Sequence, residues 1–317
     1  MKNRSLVLLS GEPTSLPEAE ARALFLAYDP ESKFEVPEKR ILLVETNADP
    51  FAISRRIAFA RRVGMLVGSP SEVSSLVNGK TTRLRSFDLG EKPELDPVRI
   101  LRGFDTKVDL RNPDYELTLV RGKGEYLAVT APGSMCQWWV SRRPRVRPYF
   151  HPVATFPKLA RALVNLSRCR EGQTFLDPFC GTGSFPLEAA VVGAQVVAVD
   201  RALDMVRGSL ANMRHFGQRW LGVVRAESLQ PPLTMVDAIA TDVPYGRASS
   251  TMGVGGARIL RGALESLPPL LRKGSRMVVM HSRADAISAS RELAVEEEHD
   301  LHVHKKLTRT ITVLRRR

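Results

Sequence analysis

Cysteine is scarce in this chain. Cys136, Cys169 and Cys180 are the three among 317 residues. Their number is odd and no two form a C-x-x-C pair. Neither a disulfide framework nor a zinc site is implied, and a reducing cytoplasm is the expected setting. Each reads as a small buried hydrophobe. Long apolar runs are also missing: none approaches the ~20 residues that span a bilayer. No membrane span and no metal are therefore expected. The short apolar stretch Leu6–Leu9 is followed at once by Glu12, Pro13 and Glu18, without a small-residue cleavage site. It reads as a first strand, not a signal peptide.

What the chain does have is Lys and Arg, with a net charge of +13. Residues 1–145 carry 23 Lys and Arg against 19 Asp and Glu, and the remainder 24 against 15. The excess is spread over both halves, as suits a polyanionic partner that attracts cations through long-range field and counterion release. An Arg-rich solvated surface is the plainer reading. Hydrophobic residues make up 43% of the chain, enough for real cores. At about 100–200 residues per domain, two domains or slightly more are expected.

The first ~50 residues pattern as α+β: a strand at Leu6–Leu9, a helix over Leu16–Tyr28, and short strands at Phe34 and Ile41–Glu45. Asp49 is a candidate cap for a helix starting at Pro50 and running to about Arg62. On that helix Arg55, Arg56, Arg61 and Arg62 form a basic face, either solvated or turned to RNA. A strand at Met65–Gly68 and a helix over Ser69–Leu76 follow. Strands are then expected at Arg83–Phe87, Lys107–Leu110, Glu116–Arg121 and Tyr126–Thr130, with a turn at Asn112-Pro113-Asp114. The basic, proline-bearing run Val140–Arg147 suits a linker.

From Pro148 onward helices and strands alternate. Helices are expected over Phe156–Leu166, around Glu188–Val192, and over Leu203–Phe216, Arg258–Leu267 and Asp285–Ala294. Strands are expected at Thr174–Leu176, Gln195–Asp200, Leu221–Arg225, Val236–Thr241 and Ser275–His281, with a closing pair at Leu301–Lys306 and Thr310–Leu314. Such alternation implies a mainly parallel, doubly wound sheet.

Two stretches carry chemistry. In Asp177-Pro178-Phe179-Cys180-Gly181-Thr182-Gly183, a strand ends and a helix begins. Gly181 and Gly183 permit a tight turn and close ligand approach. The third glycine of a dinucleotide loop is absent, since Pro186 stands there, and the Lys-Ser/Thr of a P-loop is absent too. Asp177 would repel a pyrophosphate and suits a ligand with a positive end, such as the ammonium and sulfonium of S-adenosylmethionine. Phe179 and Thr182 complete that loop. Asp200, closing the next strand, can accept hydrogen bonds from ribose hydroxyls; a helix cap is the plainer role. Glu227-Ser228 follows the third strand and is a candidate adenine grip, or a surface turn.

The second stretch is Asp242-Val243-Pro244-Tyr245, after the fourth strand. An exocyclic base amine is a poor nucleophile because its lone pair is delocalised. A carboxylate (Asp242) and a backbone carbonyl (Val243) that accept its two N–H bonds pull the nitrogen toward tetrahedral geometry. Pro244 fixes the backbone. Tyr245 offers a face for base stacking, worth about 1–3 kcal/mol. Alone the motif would be an ordinary turn; its place after strand four, with the acidic loop after strand one, makes it a candidate catalytic site.

These residues resemble class I amino-methylating enzymes, whose motif reads [DN]-P-P-[YF]. Residues 147–152 (RPYFHP), 157–166 (PKLARALVNL) and 177–183 are similar to the tRNA guanosine-10 N2-methyltransferase family. Val108–Glu116 (VDLRNPDYE) resembles the core of its THUMP RNA-binding domain, and Arg55-Arg56, Arg61–Gly64 and Lys305–Arg309 also fit. The resemblance implies four segments: a ferredoxin-like piece over 1–52, a THUMP domain over 53–140, a linker over 141–147, and a Rossmann-like, seven-stranded class I methyltransferase domain over 148–317. It implies S-adenosylmethionine as cofactor and tRNA as partner, with a monomer expected. Arg55, Arg56, Arg142, Arg143 and Arg247 are candidate RNA contacts. The glycine-rich loop Arg247–Gly256 is a candidate lid, and His151 a candidate neighbour of the cofactor. One departure stands out: Val243 replaces a proline of the family motif. That predicts a looser backbone, lower turnover and room for a different target. Another tRNA or rRNA guanine, a DNA adenine, or an RNA-binding protein with a weakened catalytic domain are the alternatives.

Overall fold

The computed structural model describes residues 2–12, 14–90, 104, 106–132, 138–244, 255–285, 287–304 and 307–317. Cys136, Tyr245, Arg247, most of the 247–256 loop, and Lys305-Lys306 lie outside the described residues. The chain divides into two units: Met1–Pro13 with Leu24–Gln137, and Thr14–Ala23 with Trp138–Arg317.

The first unit is built on one eight-stranded sheet. Its strands are β1 (Asn3–Leu9), β2 (Lys33–Glu38), β3 (Ile41–Thr46), β4 (Ala60–Val67), β5 (Thr81–Asp88), β6 (Lys107–Val108), β7 (Tyr115–Arg121) and β8 (Glu125–Thr130), in the order β2-β3-β1-β4-β8-β7-β5-β6. Segments 1–52 and 53–140 thus contribute strands to the same sheet, through antiparallel pairing of β1 with β4. The helices are α1 (Leu16–Tyr28), α2 (Pro50–Ser54) and α3 (Pro70–Val77). Asp49 caps α2 as its sequence suggests, accepting from the N–H groups of Phe51 and Ala52 at 2.9 and 3.1 Å.

Helix α2 does not reach Arg62. It stops at Arg55, and Arg61 and Arg62 sit on β4. Residues 56–60 are all buried in succession, which one face of a helix cannot achieve. The expected basic helical face therefore does not exist. Arg55 is exposed, whereas Arg56 is buried, its guanidinium 3.2 Å from the Tyr28 hydroxyl. Arg62 pairs with Glu116 at 3.1 Å and lies over the Phe87 ring.

The second unit holds a seven-stranded sheet: β9 (Thr174–Asp177), β10 (Gln195–Asp200), β11 (Gly222–Arg225), β12 (Val236–Asp242), β13 (Leu271–Ser282), β14 (Leu293–His304) and β15 (Leu307–Arg316). The order is β11-β10-β9-β12-β13-β15-β14, parallel except that β15 pairs antiparallel with both β13 and β14. The helices are α4 (Pro157–Leu166), α5 (Ser184–Val191), α6 (Leu203–His215) and α7 (Gly256–Ser266). Strands β9, β10 and β12 are near-continuous apolar runs buried on both faces (Phe175, Leu176, Val196–Val199, Ala238–Ala240), as a covered parallel sheet requires. Each fully buried side chain of this kind contributes about 1.5–3 kcal/mol.

The helix expected over Asp285–Ala294 is absent. Ser290 bonds locally there: its N–H donates to the Leu293 carbonyl and its hydroxyl accepts from the Leu293 N–H at 3.1 Å. Serine competing for nearby backbone in this way disfavours a helix. The run 140–147 is not an open linker either. It forms two short 3-10 turns, Val140–Arg142 and Pro144–Val146. Arg142 is paired with buried Glu188 of α5 at 2.8 Å, with Arg161 of α4 on the other carboxylate oxygen at 2.7 Å. In the same unit Glu20 accepts from Asn165 at 2.6 Å.

Candidate active site

The C-terminal ends of β9, β10, β11 and β12 open onto one cleft of about 1140 Å³. In doubly wound sheets, ligands bind at this end, where strand order reverses. Here the reversal falls between β9 and β12.

Gly181 and Gly183 turn the chain from β9 into α5 with φ of +48° and +83°, the left-handed region open to glycine. At Gly183 a Cβ would fall 2.5 Å from the Ser209 hydroxyl and 3.3 Å from the Ser209 Cα. Thr182 is held from behind, its carbonyl accepting from Asn212 at 2.9 Å. Phe179, Cys180, Gly181 and Thr182 line the cleft; Gly183 does not.

Asp177 lies beneath this loop rather than in the cleft wall, and is fully buried. Its Oδ1 accepts from the Thr241 hydroxyl at 2.6 Å and the Phe179 N–H at 3.1 Å, while Oδ2 is buried without a partner. Burial pushes its carboxyl up to about 7, against the lowering effect of those two donors. Asp200 does line the cleft. It accepts from the Gly181 N–H on Oδ2 and the Ala202 N–H on Oδ1, both at 2.9 Å, and burial again raises its carboxyl. It thus ties β10 to the glycine loop and, through the Ala202 N–H, turns the chain toward α6. Glu227 and Ser228 lie further along the same wall.

Asp242 closes β12 at the far side of the cleft, with Pro244 beside it. Val243 is turned inward, 2% exposed, packed in a cluster with Leu176, Ile239 and Met277. Its N–H donates to the Met280 carbonyl at 3.0 Å. Two partners of Asp242 were not among the expected site residues. Arg309 of β15 donates to Asp242 Oδ1, and Thr155 Oγ1 lies 3.5 Å from Oδ2. Arg309 is 8% exposed, and burial lowers its guanidinium to about 10. His151 also lines the cleft.

The arrangement fits S-adenosylmethionine. The cleft is large enough, the glycine loop gives close backbone approach, and Asp200 lines the wall beside it. Asp200, Asp204, Glu227 and Asp242 line the cleft together with Arg201, Arg258, Arg261 and Arg309, and the 177–183 loop itself carries no lysine or arginine. Among the described residues, no group of three or more His, Cys, Asp or Glu is placed to hold a metal ion.

A seven-stranded sheet with this order, an acidic glycine loop after its first strand and an Asp-x-Pro turn after its fourth, defines a class I methyltransferase. The family model of the RMKL-like methyltransferase domain, UPF0020, matches residues 144–311, and the chain belongs to that family. It is 37% identical over 177 residues to the tRNA (guanine(10)-N2)-dimethyltransferase of Methanothermobacter thermautotrophicus, covering 55% of this chain and 53% of that protein. With the Pyrococcus abyssi protein of the same name it shares 26% over 305 residues, 89% of this chain and 92% of the other. With the tRNA (guanine(6)-N2)-methyltransferase of Thermus thermophilus it shares 32% over 265 residues, 77% and 72%. Against the first two curated relatives, from Methanothermobacter and Methanocaldococcus, the matched segment spans about half of their length (53% and 51%). The crystal structure of TrmN from Thermus thermophilus shares the fold, with TM-score 0.52 and 19% identity over 99% of this chain and 100% of that one.

Proposed function

We propose that this protein transfers a methyl group from S-adenosylmethionine to the exocyclic N2 of a guanine in tRNA, guanosine 10. The carrying observation is that the loop residues Phe179–Thr182, Asp200 and Asp242 line one cleft. The names of the relatives support a guanine N2 target and a tRNA substrate.

The bound cofactor supplies an electrophilic methyl group. The chain's own residues do the rest. Asp200 is read as the ribose acceptor, Glu227-Ser228 as the adenine grip, and the 179–183 loop as the seat for the remainder. Asp242 and the Val243 carbonyl accept the two N–H bonds of the amine and aim its lone pair. Pro244 fixes the turn, and the Tyr245 ring is assigned to stacking. The base must leave its stack to enter. We read the first unit as a ferredoxin-like piece and a THUMP domain that grip the tRNA, and the protein as a cytoplasmic monomer. No described helix is long and apolar enough to cross a membrane. Of the assigned RNA contacts, exposed Arg55 and Arg143 remain suited to phosphate. Arg56 and Arg142 are engaged inside the protein.

The Thermus relative favours a second position, guanine 6. Transfer of labelled methyl to tRNA transcripts, with nuclease mapping and mass spectrometry of the nucleosides, separates the two. The Asp242→Ala variant is expected to lose transfer while S-adenosylmethionine binding by calorimetry stays within a few-fold. Full activity of that variant would remove the mechanism. Absence of cofactor binding by the wild type would favour an RNA-binding protein instead.

A further inference from the structure

We infer that Arg309 is a specificity-determining residue: together with Asp242 it presents an acceptor–acceptor–donor row that matches the Watson–Crick edge of guanine, with Arg309 donating to O6. This rests on the guanine N2 reading above.

The sheet order carries the inference. β13 lies between β12 and β15, with Asp242 in register with Met280 and Arg309 in register with Ser282. The two side chains meet across the C-terminal end of β13, and both line the cleft. Arg309 donates to Asp242 Oδ1, while Thr155 stands on the Oδ2 side. A guanidinium carries five N–H donors in a planar fork, so it can hold a carboxylate and present a further N–H beside it.

From Oδ2 to Oδ1 to the guanidinium, the groups run acceptor, acceptor, donor. Guanine runs N2–H donor, N1–H donor, O6 acceptor in the same direction. Cytosine meets guanine with the same row. With N2–H on Oδ2 and N1–H on Oδ1, O6 falls on the side of Arg309. The second N2–H points away, toward the role assigned to the Val243 carbonyl. Adenine offers its amine beside N1, whose lone pair would face a carboxylate oxygen. A buried acceptor set against an acceptor is disfavoured about 10–100-fold. An amine-gripping turn alone accepts any base amine; the Asp242–Arg309 pair makes the edge read as guanine.

A plain alternative is that Arg309 only steadies Asp242. The test separates the two by changing the base as well as the protein. Single-turnover transfer is measured on transcripts carrying guanine or 6-thioguanine at the position mapped for the wild type. 6-Thioguanine keeps N1–H and the amine and puts a larger, weaker acceptor at position 6. The wild type is expected to slow about tenfold or more on 6-thioguanine. Arg309→Ala is expected to slow on guanine and to lose the discrimination, its guanine to 6-thioguanine ratio falling to near one. Arg309→Lys, which keeps the charge, should recover part of the rate and little of the ratio. A variant with the wild-type ratio at any absolute rate would overturn the inference. Should neither variant fold, a wild type that treats the two bases alike does the same. If the wild type methylates guanine in no RNA, the proposed function falls and this inference with it. If it methylates guanine without discriminating, only the inference falls.

Discussion

Val243 stands where the resembling family has proline, and the sequence suggests a loosened turn. The folded chain answers with a hydrogen bond that proline could not donate. The Val243 N–H reaches the Met280 carbonyl at 3.0 Å, and the side chain is sunk in the core of the second unit. The backbone entering the turn is thus held by the sheet instead of by a ring. Asp177 shows how burial changes a motif residue in another way. It was read as facing a cationic ligand, yet it underlies the loop, holds its proton to about pH 7, and braces Thr241. Its folded value lies above its ordinary value of 3.8. Between about pH 4 and pH 7 the unfolded carboxyl ionises while the folded one stays protonated, so the unfolded chain binds fewer protons. Stability from this group therefore falls as pH rises through that window and levels off above it. Asp177→Asn keeps an acceptor oxygen and removes the titration. Its urea midpoint, compared with wild type at pH 4.5 and pH 8, should gain on wild type at the higher pH. A constant difference between the two proteins would show that Asp177 is ionised in the fold.

At the scale of elements, the strands and helices of the second unit were largely legible, because buried parallel strands write themselves as apolar runs and the helices between them keep a 3.6 period. Asp49 announced its cap. The two failures share a cause. The stretch to Arg62 and the stretch 285–294 both have helix-like composition, but continuous burial decided the first and local serine bonding the second. The site was legible where a short motif held it, at Gly181–Gly183, Asp200 and Asp242. It was not legible where the partner comes from a distant strand, as with Arg309, because only the sheet order brings β15 across β13. The glycine loop gives a prediction at this scale. Both glycines have positive φ, but only Gly183 is crowded, with Ser209 behind it, while a Cβ at Gly181 would meet nothing within 4 Å. Gly183→Ala combines backbone strain of about 1–3 kcal/mol with a clash against the Ser209 hydroxyl, whose Cα at 3.3 Å leaves little room to shift. It should lower Tm clearly. Gly181→Ala carries the strain alone and places its methyl in the cleft, so it should weaken S-adenosylmethionine binding more than it lowers stability. Equal losses of stability in the two variants would contradict this division.

For the whole molecule, the count of 47 Lys and Arg overstates the cations RNA would meet. Arg62 and Arg83 are committed to Glu116, Arg121 to Asp88, Arg142 and Arg161 to Glu188, and Arg309 to Asp242. These pairs order the two units from within and leave a smaller set, such as Arg55 and Arg143, at the surface. If tRNA is the partner, its affinity should fall steeply with salt, because each phosphate contact releases counterions. With about four to six contacts, raising salt from 50 to 200 mM weakens binding roughly 100–1000-fold. Affinity for S-adenosylmethionine, held in a cleft without a run of phosphates, should change little over the same range. Neighbouring arginines sharpen the test. Arg55→Ala should weaken RNA binding and reduce the salt slope by about one, with Tm unchanged. Arg56→Ala removes a buried guanidinium from Tyr28 and should lower Tm while leaving the slope as it was. Filter binding across a salt series, with thermal melts of the same variants, reads both effects. A slope that responds to Arg56 and not to Arg55 would place the RNA on a different face from the one proposed.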